Sequence, residues 1–213
     1  PDIINFMVTH GRGMLCVAIN GKRLDELNLP LMVETNSALH GTQFTVTIDA
    51  IEGTTTGISA ADRAHTIKKL IDPKSKANDF ARPGHIFPLR SFEEGVLRRA
   101  GHTEAAVDLC KLSNLNPAGV LCEILKADGE MARVPELIEI AEKFNLKIVT
   151  VQELIKYRIK NENLIEKISD IDFPTNHGQF RLHLYRNLLD KKKQVALVKG
   201  EPNPEIPFLV RMH

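Results

Sequence analysis

Gln43-Phe44-Thr45-Val46-Thr47-Ile48-Asp49 alternates, with Phe44, Val46 and Ile48 on one side of an extended chain and Thr45, Thr47 and Asp49 on the other. That period of two is the pattern of a half-buried strand. Just beyond it, Gly53-Thr54-Thr55-Thr56-Gly57 reads as a small polar loop. Ser59 then stands where an N-cap would, with Asp62 in the first turn of a helix that runs to about Ile71 and ends at Asp72-Pro73.

Working outward, Gly11 and Gly13 close a first helix carrying Ile3, Ile4 and Met7, and the apolar run Met14 to Ile19 has the composition of a buried strand. Downstream the pattern predicts a helix from about Thr103 to Asn114, a strand over 118–125 and a helix starting at Pro135, a favoured first position. That last helix has an apolar stripe of Val134, Leu137, Ile138, Ala141 and Phe144. A strand over 147–151 then feeds a helix capped by Thr150, with Glu153 at capping-box spacing. Strands interleaved with helices of this length predict an α+β fold, a mixed sheet covered by helices, with some antiparallel pairing at 43–49.

The texture changes after residue 160. A charged stretch over 161–167 is expected to be a linker, and from 168 to 213 strand-like runs (180–186, 194–199, 207–212) alternate with turn material. So short a stretch of strand buries too little apolar surface to stand alone, so it reads as the first strands of an incomplete second domain. With Pro1 inside a helical pattern and His213 directly after a strand-like run, the chain reads as a fragment cut at both ends.

Across 213 residues, Lys+Arg number 28 and Asp+Glu 27, for a net charge of +1, and the basic run Lys191-Lys192-Lys193 has few aromatics to accompany it, which argues against a nucleic-acid partner. The three cysteines, Cys16, Cys110 and Cys122, form no C-x-x-C pair and leave an odd count, pointing to a reducing, cytoplasmic setting. No apolar run has the length of a membrane span, so no membrane partner is expected.

Three segments carry candidate chemistry. Arg98-Arg99-Ala100-Gly101-His102-Thr103-Glu104 brings a guanidinium, a glycine, an imidazole and a hydroxyl to a helix start, where free N–H groups and the helix dipole favour a phosphate. The plain alternative is that Thr103 is an N-cap and His102 a surface residue. Arg82-Pro83-Gly84-His85-Ile86-Phe87-Pro88-Leu89-Arg90 stiffens the backbone around His85, as a precisely held proton carrier requires, although a histidine beside Pro-Gly is more often a turn residue. Glu123 lies in the apolar run 118–125, where a carboxylate would be desolvated unless paired, a setting that makes a general base; the plain alternative is that alternation places it on the exposed face beside Leu121 and Leu125.

Taken together, Gly41-Thr42-Gln43-Phe44-Thr45-Val46-Thr47, residues 55–63, residues 82–90, residues 99–109 and residues 118–123 resemble, in family order, the motifs of 3,4-dihydroxy-2-butanone 4-phosphate synthase. The resemblance covers 1 to about 160. It implies conversion of ribulose 5-phosphate to 3,4-dihydroxy-2-butanone 4-phosphate and formate with Mg2+ or Mn2+, in a homodimer with active sites at the interface. On this chain it implies Arg99, Ala100, Gly101, His102, Thr103 and Glu123 as substrate-binding, His102 as a metal ligand, and His85 and Glu123 as essential for catalysis. One histidine is too few ligands for a hard cation. The family's acidic loop, which adds a glutamate ligand, is expected upstream of Pro1, so the site in this chain is expected to be incomplete. The alternative reading is a sugar-phosphate-binding module without catalysis.

Residues 171–213 resemble the opening of a GTP cyclohydrolase II domain, as found fused in bifunctional riboflavin enzymes. That likeness implies GTP contacts at Arg211 and His213 and puts the family's zinc cysteines beyond the present chain.

Overall fold

The computed structural model describes residues 1–203 and 205–212, in two compact units, Pro1–Lys156 and Tyr157–His213. The first is built on a four-stranded sheet of β1 (Cys16–Asn20), β2 (Ile48–Ala50), β3 (Phe80–Ser91) and β4 (Ala118–Leu121), in the order β2-β3-β1-β4. β1 and β3 are parallel and the other two pairs antiparallel, which makes the sheet mixed. Its helices are α1 (Asp2–His10), α2 (Gly21–Glu26), α3 (Ala60–Ile71), α4 (His102–Leu112), α5 (Val134–Phe144) and α6 (Val151–Asn161), the last running on into the second unit.

The core forms where Leu15, Val17 and Ile19 of the β1 segment meet Leu24, Ile67 and Leu70. Each such side chain taken out of water contributes about 1.5–3 kcal/mol. α2 was not legible as a helix. Asn20 caps it by accepting from the Arg23 N–H at 2.9 Å, and Arg23 in turn donates to the carbonyls of Leu70, Asp72 and Ser75, closing off the end of α3. The expected caps are present: Ser59 Oγ accepts from the Asp62 N–H, and Thr150 and Glu153 bond reciprocally.

Several expectations differ from the structure. In 43–49 the regular strand is confined to β2, and Thr45 and Thr47 are buried while Phe44 and Val46 are half-buried. Burying the threonines is inexpensive because Thr45 Oγ1 donates to the Pro88 carbonyl and Thr47 Oγ1 accepts from the Gly84 N–H. Residues 82–90 form no turn and run as the central part of β3, with a cis Arg82–Pro83 peptide. No strand forms over 147–151, whose Ile148 and Val149 are exposed, because a strand persists only where a neighbour takes its backbone bonds. The α5 stripe is partly used. Ala141 is buried and Phe144 meets Phe6 edge-on at 5.0 Å, but Val134 and Ile138 are exposed.

The second unit is an antiparallel sheet, β5 (Ile165–Thr175), β6 (Gly178–Asn187) and β7 (Lys193–Val198), in that order. β5 starts inside the stretch expected as linker, and residues 207–212 form no strand. Ile171, Phe173 and Leu197 remain exposed.

Candidate active site

His85 stands on β3 where its register with β2 shifts, between Ile86, the partner of Ile48, and Ala81, the partner of Asp49. The Asp49 carboxylate grips it twice: Oδ1 accepts from the His85 backbone N–H at 3.0 Å, and Oδ2 lies 2.6 Å from Nδ1. A carboxylate only accepts, so this contact assigns the ring proton to Nδ1 and leaves Nε2 as the free nitrogen. The imidazole is 45% exposed and Asp49 14%, so the ring is oriented from below and open above.

The polar loop foreseen at 53–57 closes against this pair. Gly57 has φ +88, and a Cβ there would lie 2.2 Å from Asp49 Oδ2 and 2.7 Å from His85 Nδ1. Asp62 holds the loop in place. Its Oδ2 accepts from the Thr55 hydroxyl at 2.7 Å and from the backbone N–H groups of Thr55 and Gly57. The Thr55 hydroxyl above all, helped by those N–H groups and Ser59, keeps the Asp62 carboxyl below the usual carboxylate range.

Of the two readings of Glu123, the desolvated strand carboxylate is not found and the exposed one is, though not through strand alternation. β4 ends at Leu121, and Glu123 lies exposed beyond it, its Oε2 accepting from the Met14 N–H at 2.9 Å and its carbonyl from the Gly13 N–H at 3.2 Å. Its charge reaches Cys16, whose thiol is pushed up to about 12, chiefly by burial and then by Glu123 and Cys122.

At the start of α4 the N-cap is Gly101, with no side-chain cap bond, so the reading of Thr103 as N-cap is set aside; Thr103 is buried in the first turn. His102 is exposed there, and Ala100 is exposed just before it. Arg99 is largely engaged within the protein. Nη1 donates to Glu104 Oε2 at 2.6 Å, Nε and Nη2 donate to the His40 carbonyl, and Nη2 also donates to Thr42 Oγ1 at 3.1 Å. That leaves one Nη1 N–H for an anion.

The row Phe87–Cys16–Leu121 runs across β3, β1 and β4. His85 and Glu123, each two residues from that row, lie off the same end of the sheet, two strand spacings or roughly 10 Å apart. The start of α4 is elsewhere. The Phe92 N–H donates to Glu104 Oε1, just past the end of β3 where Ser91 pairs with Asn20. Seven residues of extended chain separate His85 from Phe92, roughly 20 Å. One chain therefore brings His85 and Glu123 to one end of the sheet and residues 99–104 to the other.

Among the described residues no group of three or more His, Cys, Asp and Glu side chains is arranged to hold a metal ion. His102 is exposed and Glu104, two residues on, is turned to Arg99, so these residues alone do not furnish the oxygen-rich shell of a hard cation. Arg211 is exposed and His213 lies outside the described residues. Asp49 and Glu104 were not singled out from the sequence. The one signal for Asp49 was its place on the polar face of the 43–49 alternation, and for Glu104 its place in the first turn after a glycine.

Residues 1–157 match the family model for 3,4-dihydroxy-2-butanone 4-phosphate synthase, and residues 166–213 match that for GTP cyclohydrolase II. Riboflavin biosynthesis protein RibBA of Aquifex aeolicus is 53% identical over 215 residues, all of this chain and 53% of the relative. RibBA of Synechocystis sp. is 52% identical over 217 residues, all of this chain and 39% of the relative. The chain thus spans about half the length, or less, of these curated relatives. Among solved structures, RibBX, a two-domain 3,4-dihydroxy-2-butanone 4-phosphate synthase from A. baumannii, superposes with a TM-score of 0.83 at 48% identity, covering 94% of this chain and 59% of that one. A 3,4-dihydroxy-2-butanone 4-phosphate synthase in complex with two magnesium ions gives 0.72 at 38% identity, covering 75% of this chain and 80% of that one. With its first 157 residues matched throughout and its mixed sheet shared with these enzymes, the chain belongs to the 3,4-dihydroxy-2-butanone 4-phosphate synthase family.

Proposed function

We propose that this chain serves riboflavin biosynthesis by converting ribulose 5-phosphate to 3,4-dihydroxy-2-butanone 4-phosphate and formate. The observation that carries the reading is the exposed His85 imidazole, fixed through Nδ1 and its own N–H by one carboxylate with Nε2 left free. Forming an enediol from a ketose, expelling water and rearranging the skeleton all need a group that takes and returns protons at a defined position. Nε2 of His85 fills that role and the exposed Glu123 carboxylate is the second proton carrier. The substrate phosphate is held by the N–H groups of His102 and Thr103 and the remaining Arg99 N–H, while Gly101, whose own N–H donates to the Arg99 carbonyl at 2.8 Å, and Ala100 shape that turn.

Mg2+ or Mn2+ belongs to this reading, with His102 as one ligand, and would stabilise the enediolate's negative charge. The described residues do not complete its coordination. The separation of His85 from residues 99–104 supports a homodimer in which His85 of one copy meets the phosphate turn of the other. The longer protein would also carry GTP cyclohydrolase II activity, with Arg211 and His213 among its GTP contacts. The three free thiols suit a cytoplasmic setting.

The test mixes two separately inactive full-length variants, His85→Ala and His102→Ala. Shared sites give mixed dimers with one intact site, and formate release returns. If the mixture stays as inactive as its components, the shared site is refuted. A second reading, a non-catalytic sugar-phosphate-binding module, is favoured by His102 standing without a carboxylate companion among the described residues. It requires this chain to bind ribulose 5-phosphate while the unmixed full-length protein releases no formate.

A further inference from the structure

Glu104 is 1% exposed, yet it carries a carboxylate. Both oxygens are committed, Oε1 to the Phe92 N–H at 3.3 Å and Oε2 to Arg99 Nη1 at 2.6 Å. Arg99 continues the chain outward to the His40 carbonyl, through Nε at 3.3 Å and Nη2 at 2.9 Å, and to Thr42 Oγ1. Within residues 36–42, Asn36 Nδ2 donates to the Thr42 carbonyl, the Ala38 N–H to Asn36 Oδ1 and the Gly41 N–H to the Ala38 carbonyl, and at the segment's end the Phe44 N–H also donates to the Thr42 carbonyl. Residues 30–41 are exposed throughout. The stretch is anchored at its start by backbone bonds from the Met32 N–H to the Phe44 carbonyl and from the Val46 N–H to the Pro30 carbonyl; at residues 40 and 42 Arg99 is the side-chain clasp that joins it to the start of α4, and the buried carboxylate aims the clasp.

Gly101 fits the same design. Its φ is an ordinary −110, so no backbone constraint demands glycine. Space does. A Cβ there would lie 2.1 Å from Arg99 Nη1 and 2.6 Å from Glu104 Oε2. Arg99 could swing aside only by leaving Glu104, which is enclosed and bonded elsewhere.

We infer that Glu104 is a positioning residue. Acting through Arg99, it sets both the phosphate-holding turn at residues 99–103 and the loop at 36–42, so that the two are ordered together. This rests on the proposed function only for the identity of the ligand, ribulose 5-phosphate; the ordering of the loop stands apart from it.

The test uses the chain of 213 residues and reads three things: ribulose 5-phosphate affinity by calorimetry, thermolysin cleavage before Leu39, which is 93% exposed, and the urea midpoint. Glu104→Gln keeps the shape and can still accept from the Phe92 N–H, but loses the charge that holds Arg99. It is expected to speed cleavage and weaken affinity, each about tenfold, as a coupled pair predicts. Arg99→Ala should do the same, and the double variant should be no worse than Arg99→Ala, because Glu104 has no other route to the loop. Gly101→Ala, which removes neither charge, should also speed cleavage and settles the matter if Glu104→Gln does not fold. Wild-type cleavage in Gly101→Ala and Glu104→Gln, or effects that add fully in the double variant, would overturn the inference. Faster cleavage with unchanged affinity in Arg99→Ala would likewise overturn the claim that the loop and the phosphate-holding turn are ordered together, and would remove Arg99 from the phosphate site.

Discussion

Replacing Gly57 with alanine strikes the candidate site through backbone and side chain at once. At φ +88 a residue with a Cβ pays roughly 1–2 kcal/mol for the left-handed backbone. The new methyl would also lie 2.2 Å from Asp49 Oδ2, far inside van der Waals contact, so the carboxylate must leave its 2.6 Å contact with His85 Nδ1. With His85 45% exposed, water replaces part of that bond and the further loss is held to about 0.5–1.5 kcal/mol. The sum, about 1.5–3.5 kcal/mol, lowers the melting temperature of a unit this size by on the order of 3–14 °C. Gly129 is the control. It has nearly the same φ, +90, and nothing within 4 Å of a built Cβ, so its alanine variant pays the backbone term alone. Urea denaturation of the two variants isolates the contact with the pair, and amide exchange at His85, whose N–H donates to Asp49 Oδ1, reports the pair directly. Equal losses at the two positions, with His85 protection unchanged, would refute the claim that Gly57 is there to let the loop close on His85 and Asp49.

Two further outcomes follow from charge and burial. In the second unit Lys167 first and then Arg181 hold the Asp170 carboxyl at about 2, against an ordinary 3.8, so its stabilisation of β5 and β6 is full above 3.8 and is lost as pH falls through 2. Amide shifts of β5 and β6 followed from pH 5 downward should show that step, and Asp170→Asn should flatten it; an identical step in the variant assigns it to another carboxylate. Cys16 is 3% exposed with its thiol pushed up to about 12, so in the native protein iodoacetamide at pH 8 should label Cys110 and Cys122, both half-buried, well before Cys16. Mass spectrometry finding Cys16 modified first would contradict its place in the core.

What could be read without coordinates was local or repeated. Ser59 and Thr150 announce helix starts through bonds spanning three residues, which no distant packing has to supply. The motif runs, each many residues long and in a fixed order, sufficed for the family. Three-dimensional packing decided what depends on partners far apart in sequence. The alternation at 43–49 identifies an extended segment, but only the β3 backbone, which satisfies the Thr45 and Thr47 hydroxyls, explains why threonines rather than Phe44 are buried. The stretch 147–151, Lys-Ile-Val-Thr-Val, has strand composition and forms no strand, because composition does not provide a neighbour. Glu123 looked desolvated from its neighbours in sequence, yet β4 ends before it and leaves it exposed. Asp49 meets His85 across 36 residues and Arg99 meets His40 across 59, contacts that only the folded chain creates. The sequence alone determined the family; tertiary structure decided that Asp49 orients His85 and Glu104 orients Arg99, and that the two lie toward opposite ends of the sheet, since those are properties of register and strand order rather than of residue type.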